Sequence, residues 1–243
     1  MIQIDLESEF TNFVRSFGGE VLEDTYGTSL PFANADYYFR GQNIVGELKR
    51  LVDNKSEDEN IREKIQAKFD RWMQDGRIPL FYGKRIIESS TLPEECQREL
   101  LDVFKPALRR RILKANKQIR ETSEFLNTPD AKGLLFICND GNYALEADAV
   151  IYLIGKVLGR NCSSINSVVY FTANMLASSP ITEKQVLVWA HITRGKITQA
   201  VDPQIVMQLF DSWRIYLESL RNESIEALVS ENTEIEHIRY DKI

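Results

Sequence analysis

Apolar side chains recur at helical spacing in several stretches of the chain. In residues 5–17, Leu6, Phe10 and Phe13 fall on one stripe, and Gly18-Gly19 ends the segment. Residues three and four apart lie on one side of a helix, so this spacing predicts an amphipathic helix. The same pattern predicts further helices over 56–75, 91–127, 145–159 and 203–222.

The helix over 91–127 is the longest that the pattern predicts. Thr91-Leu92-Pro93-Glu94 has the spacing of a capping box and is expected to start it. Pro106 lies inside the segment and is expected to bend the helix or split it in two, because proline lacks the N–H that the helix needs.

Short apolar runs between these helices predict strands. Residues 133–138 are apolar throughout, which is typical of a strand buried on both faces. Pro79 weakens the prediction for 78–82. The predicted strands are 20–23, 35–39, 43–50, 78–82, 133–138, 167–172 and 186–193. Strands and helices alternate in the second half, so we expect an α/β fold with a mixed sheet flanked by helices. The tail after Glu223 is charged and predicts no element.

Composition narrows the class of protein further. The chain has 243 residues, a net charge of −6 and no apolar run long enough for a membrane span. The first residues lack a secretory signal, so a cytoplasmic protein without a membrane partner is expected. The three cysteines are far apart, and with two histidines they give no zinc-binding spacing.

Two acids and a lysine lie on the second and third predicted strands. Asp36 precedes Tyr37-Tyr38-Phe39, and Glu47 and Lys49 follow a short apolar run. Residues i and i+2 of a strand point to the same face, so Glu47 and Lys49 should project together. If the strands form a hairpin, Asp36 joins them. Carboxylate oxygens are the ligands that Mg²⁺ prefers.

These residues resemble the motif of the PD-(D/E)xK nuclease superfamily, which has the restriction-endonuclease-like fold. The N-terminal part is similar to the archaeal Holliday-junction resolvases. Glu7 takes the place of their glutamate in the first helix, and Ser29 lies in the place of their polar loop. Ala35 stands where the motif has proline. The resemblance covers residues 5–50 best and also extends over 94–172.

The resemblance implies a single nuclease-like domain and assigns roles within it. Its core would be about 5–50 and 94–172, with a helical insertion over 53–92 and a C-terminal extension over 175–243. Asp36, Glu47 and the main-chain carbonyl of Leu48 would bind Mg²⁺ or Mn²⁺, and Glu7 could reach the ion through water. Lys49 would position the attacking water.

A basic stretch follows the insertion and indicates nucleic acid. Residues 105–120 hold seven cations and no acid. The helix in this position lies near the active site in the superfamily. It implies DNA contacts by Arg110, Lys114, Lys117 and Gln118, together with Ser29. The alternative is that this face is an ordinary solvated helix surface.

Three hypotheses stay open at this point. The first is a metal-dependent endonuclease that hydrolyses DNA phosphodiester bonds. The second is a catalytically inactive member of the same fold that binds nucleic acid or protein, because an acid-x-lysine pair also occurs by chance. The third, compatible with the first, is a homodimer that associates through 78–82 and 175–220. Asp140 lies in residues 139–143, which are expected to form a simple turn; a second acid site there is the alternative.

Overall fold

The computed structural model describes residues 3–27, 31–52, 58–83, 87–142, 145–159, 162–175, 177–178, 185–193 and 199–234. The helices are α1 (Leu6–Ser16), α2 (Leu22–Tyr26), α3 (Glu59–Gln74), α4 (Glu94–Phe125), α5 (Ala147–Leu158) and α6 (Pro203–Arg221). The strands are β1 (Glu20–Val21), β2 (Tyr37–Phe39), β3 (Ile44–Leu51), β4 (Lys132–Asn139), β5 (Ser167–Thr172), β6 (Ala177–Ser178), β7 (Gln185–Thr193) and β8 (Ala227–Glu234). None of these helices is long and apolar enough to cross a membrane.

The strands form one mixed sheet. Its order is β1-β2-β3-β4-β5-β7-β6, and β8 pairs with β7. The first three strands are antiparallel, whereas β3-β4 and β4-β5 are parallel. A long connection is needed to join parallel neighbours, and α4 provides it between β3 and β4. The chain order of helix, three strands, insertion, helix, strand, helix, strand agrees with the sequence prediction.

Helices cover both faces of the sheet. On one face α4 and α5 pack against alternate residues of β3, including Val45 and Leu51. On the other face α1 and α6 pack against Ile44 and Leu48. Because side chains alternate along a strand, Glu47 and Lys49 lie on the α4 face. The predicted α/β class, with a mixed sheet between helices, is confirmed.

The insertion folds back on the first turns of α4. Trp72 of α3 is fully buried there together with Ile78, Leu92 and Cys96. Glu99 of α4 joins the two parts, since it accepts hydrogen bonds from Trp72 Nε1 at 3.1 Å and Arg77 Nη1 at 2.6 Å. These pairs lower the pKa of Glu99 to about 2.

Local sequence signals misplaced several elements. Residues 78–82 form no strand; Ile78 and Phe81 pack inward without a strand beside them. Residues 22–23 begin α2, although a strand was expected to continue through them. The hydroxyl of Thr91 donates to the Glu88 carbonyl and does not cap α4.

Two further predictions need correction. Helix α4 is not split at Pro106, whose side chain is exposed, so the lost N–H bond leaves the buried stripe intact, and a bend at this residue stays a prediction. The charged C-terminal segment contains β8, which pairs in parallel with β7. A polar sequence is compatible with this strand because its pairing partner β7 supplies the apolar neighbours.

Candidate active site

Asp36 lies directly before β2, where the pairing of β2 with β3 stops. Its carboxyl group occupies the space that this leaves beside β3. The register pairs Tyr37 with Gly46, and the Asp36 amide donates to the Gly46 carbonyl at 3.1 Å. Two residues further along β3, the Leu48 amide donates to Asp36 Oδ2 at 2.7 Å. A side-chain oxygen therefore takes the place that a strand carbonyl would occupy, and this contact fixes the orientation of the carboxyl group.

Glu47 and Lys49 lie together on the α4 face, as their spacing predicted. The Glu47 side chain is completely buried, and that of Lys49 is 18% exposed. Lys49 Nζ forms an ion pair with Glu47 Oε1. The second oxygen, Oε2, has no N–H or cationic partner among the described residues, and the carboxyl group that Glu47 contacts is that of Asp36. Buried carboxylate oxygens are seldom left without a donor or a cation, so this atom needs an explanation.

Asp36 raises the cost of ionising Glu47, whereas a hydrogen bond from the protonated Glu47 lowers the cost of ionising Asp36. Burial is the main cause that raises the pKa of Glu47 to about 8, and the nearby charge of Asp36 adds to it. Burial also raises the pKa of Asp36, although the Leu48 amide and Lys49 oppose this. Two carboxyl groups in direct contact cannot both ionise easily without a further positive charge.

The chemistry of this donor set fits a hard divalent cation. The pair supplies one orphaned buried oxygen and a second carboxyl group in contact with it. The Leu48 peptide faces the gap that β2 leaves, so its carbonyl is on the same edge as the Asp36 carboxyl. The ligand set is small: within the described ranges, no three His, Cys, Asp or Glu side chains are grouped to hold a metal.

An open pocket of about 650 Å³ gives access to these residues. Asp36, Glu47 and Lys49 line its floor, and Glu7 and Gln118 contribute to its walls. The pocket is thus large enough for a hydrated ion and a phosphate group, and it brings together five side chains that the sequence placed on four different elements.

Glu7 reaches the pocket but not the other acids. Its side chain is 75% exposed and pairs with Arg50 Nη1 at 3.4 Å. Arg50 follows Lys49 on β3 and therefore points to the opposite face. Glu7 thus lies at the rim, where contact with a bound ion would need an intervening water, as the sequence analysis expected.

Arg50 belongs to a polar network that the sequence analysis did not find. Its Nη2 donates to Asp140 Oδ2 at 2.7 Å, and Asn174 Nδ2 donates to Asp140 Oδ1, also at 2.7 Å. Asn174 also exchanges two hydrogen bonds with the main chain of Ile4. The Asp140 side chain is only 6% exposed. The segment that was expected to be a simple turn therefore contains a buried carboxyl group that links the end of β4 to Arg50 of β3. The sequence feature that could have indicated this network is the position of Asp140 directly after β4, the strand that neighbours β3.

The predicted DNA contacts have different environments. Arg110, Lys114 and Lys117 are exposed on α4, and Lys117 lies 3.6 Å from Glu121. Gln118 is buried at the pocket wall, where its amide donates to the Asn34 carbonyl at 2.8 Å and its Oε1 lacks a partner. Gln118 therefore has an acceptor oxygen and the second N–H of its amide left for a ligand. Ser29 lies outside the described residues.

Fold and site together define an α/β protein with an acid-acid-lysine group at the open end of a β-hairpin. Comparisons with protein families, with curated proteins and with solved structures find no match to this chain.

Proposed function

We propose that this protein is a metal-dependent endonuclease that hydrolyses DNA phosphodiester bonds. The observation that carries the proposal is the carboxyl group of Glu47, which is fully buried, in contact with Asp36 and open at Oε2. A raised carboxyl pKa next to a lysine in a pocket is the usual signature of a chemical site. The element order and the motif residues support the PD-(D/E)xK assignment, with its restriction-endonuclease-like core, as part of this proposal.

The residues would divide the work as follows. Asp36, Glu47 and the Leu48 carbonyl hold Mg²⁺ or Mn²⁺, and Glu7 contributes through water. A divalent ion bound there supplies Lewis-acid stabilisation of the phosphate and lowers the pKa of water. Lys49 orients the attacking water and stabilises negative charge that develops at the phosphorus.

Polar contacts hold the two acids and the lysine in fixed relative positions. Asp36 is held by the Leu48 amide, which fixes the two acids relative to each other. The Arg50–Asp140 pair joins the ends of β3 and β4 below Lys49. A site carried by two paired strands is more rigid than one on a loop, which favours the accurate placement that hydrolysis needs.

DNA is the favoured substrate because of helix α4. Arg110, Lys114 and Lys117 lie at i, i+4 and i+7, so they share one side of the helix with Gln118 in the pocket. Within the described ranges Arg110 and Lys114 have no acid within ion-pair distance. Cations of this kind are available for phosphates, and their contacts would make binding depend on salt.

The test is cleavage of plasmid, single-stranded and branched DNA in Mg²⁺ or Mn²⁺. We expect cleavage that EDTA stops, and Lys49→Ala is expected to reduce the rate by at least about 100-fold while DNA affinity stays within a few-fold. Lys105→Ala is the matched control, because it removes a lysine from the far side of α4. No cleavage, or equal cleavage by Glu47→Ala, would contradict the proposal.

A non-catalytic nucleic-acid- or protein-binding role on the same fold is the second candidate. The net charge of −6 and the pairing of Lys49 with Glu47 favour it. Calorimetric titration with Mn²⁺ separates the two functions. Binding that Glu47→Gln removes supports the endonuclease, whereas absence of binding supports the non-catalytic role.

A further inference from the structure

One side of helix α4 connects the insertion with the candidate site. Cys96 and Leu100 lie on this side beneath the insertion. After Val103 and Ala107, the same side continues with Arg110, Lys114 and Gln118, at spacings of three and four residues throughout. Residues at this spacing stack along a helix. The insertion covers the beginning of this side, the exposed cations occupy the middle, and the pocket lies at its end.

The length of α4 sets the separation between the two ends. A helix rises ~1.5 Å per residue, so the 22 positions from Cys96 to Gln118 span about 33 Å. One DNA strand advances ~3.4 Å per nucleotide along the duplex axis, so this distance corresponds to roughly ten base pairs. A duplex bound along the cations would therefore reach the insertion about one helical turn from the pocket.

The insertion presents two exposed apolar side chains at its tip. Leu80 is 64% exposed and Tyr82 is 84% exposed, whereas Ile78 is buried and Phe81 packs against the same small core. Ile78 and Phe81 thus anchor the backbone on both sides of Leu80. Phe81 lies 6.5 Å from the Phe69 ring, which in turn contacts Trp72 at 5.0 Å. The packed rings of Phe69, Trp72 and Phe81 therefore support this segment, and the side chains of Leu80 and Tyr82 face solvent.

The charges beside this tip are compensated. Glu99 is bound by Arg77, by Lys68 at 3.4 Å and by Trp72. Arg77 also approaches Glu95 at 3.5 Å. Glu99 and Glu95 are thus paired with cations of the insertion, and the exposed cations Arg110 and Lys114 lie further along α4.

We propose that Leu80 and Tyr82 form a second DNA contact, where they pack against base faces about ten nucleotides from the bond that is cut. This inference rests on the proposed DNA-binding function and extends it. An exposed aromatic ring can stack on any base, and an apolar pair can wedge into a base step of a duplex. Such a contact would fix how far along the DNA the pocket is placed.

DNA is a better occupant for this tip than a second copy of the chain. A stable dimer interface buries on the order of 800 Å² per partner. Two exposed side chains next to charged groups offer much less apolar area than that. The cations on the same side of α4 are complementary to phosphates, and they lie between the insertion and the pocket.

The test measures DNA affinity by fluorescence anisotropy without divalent metal, so that no cleavage competes. The probes are single-stranded and duplex DNA of about 8 and about 25 nucleotides. For the Leu80→Ala/Tyr82→Ala variant we expect a loss of at least about fivefold on one of the long probes and no loss on the short ones. Tyr82→Phe should retain the affinity, because phenylalanine keeps the ring face.

Ile215→Ala serves as the matched control, since Ile215 is 59% exposed on α6, across the sheet from α4. Equal loss on short and long probes, or unchanged affinity on all of them, would overturn the inference. Light scattering adds a second outcome: a dimer that the double variant dissociates without loss of DNA affinity would also overturn it. Cleavage by the wild-type protein is measured separately, so failure of the nuclease proposal is distinguishable from failure of this contact.

Discussion

Replacing Glu47 by glutamine is expected to stabilise the metal-free protein at neutral and alkaline pH. Glutamine has nearly the same shape as protonated glutamic acid, and it cannot ionise. In the folded protein the pKa of Glu47 is raised from 4.5 to about 8, mainly because the side chain is buried. The folded state therefore holds a proton over a pH range in which the unfolded chain has lost it.

The sign and size of the effect follow from this difference. The folded state binds more protons than the unfolded state between about pH 4.5 and pH 8, so the free energy of unfolding falls as pH rises through this window. Each pKa unit corresponds to ~1.4 kcal/mol, and the loss from about pH 5 to pH 8 comes to roughly 3 kcal/mol. Asp36 contributes in the same direction because its pKa is also raised.

The assay is chemical denaturation followed by tryptophan fluorescence at several pH values in EDTA. The wild-type protein should lose stability toward pH 8, and Glu47→Gln should remove most of that loss. Glu23→Gln is the matched control, because Glu23 lines the same pocket but is exposed. Mn²⁺ should restore the stability of the wild-type protein at pH 8 and should have little effect on Glu47→Gln.

The reasoning would be refuted if the wild-type protein and Glu47→Gln lost equal stability between pH 5 and pH 8. That result would mean that Glu47 ionises without cost in the folded state. Either the carboxyl group would then be solvated, or Lys49 would neutralise it fully, and the argument for a cation at Oε2 would lose its basis.

Three further predictions concern other parts of the molecule. Ala substitution of Arg110 or Lys114 should weaken DNA binding and reduce the slope of log affinity against log salt by about one each, whereas Lys105→Ala, on the far side of α4, should leave it unchanged. Anisotropy across a salt series measures this. Asp140→Asn should cost about 2 kcal/mol in denaturation experiments, because the buried side chain loses its charge beside Arg50; an unchanged stability would show that the network below the site is not needed. His191 is buried and its pKa is lowered to about 4, so stability should fall as pH drops from about 6.5 toward 4, and His191→Gln should reduce that fall in acid denaturation.

The elements that the sequence predicted well have periodic apolar residues. Residues 167–172 were predicted as a strand and form β5 with the same bounds, and the predicted helix over 203–222 is α6. The failures were segments whose state depends on a distant partner. Residues 78–82 are a short apolar run like a strand but pair with no strand among the described residues, and the polar β8 exists because β7 pairs with it.

The candidate site, like the fold, could be predicted only where local periodicity decides the arrangement. Strand periodicity was sufficient to place Glu47 and Lys49 on one face, and the hairpin brought Asp36 beside them. Neither the complete burial of Glu47 nor the Leu48 amide bond to Asp36 could be predicted, since both depend on where β2 ends and on how α4 covers the sheet. Asp140 and Asn174 were missed because their contact crosses two strands and joins residues 34 positions apart.

Burial of Glu47 also bears on the choice between an enzyme and a non-catalytic fold. A carboxyl group without exposure, next to a second acid and with an open oxygen, makes the folded state less stable than an apolar side chain of similar size would. Protein cores ordinarily avoid such groups, and exceptions concentrate where chemistry requires them. A module that only bound DNA through α4 would gain stability from a leucine at this position. The energetic cost of Glu47 is not explained by the requirements of the fold, and it therefore favours the proposed cation site over a purely structural role.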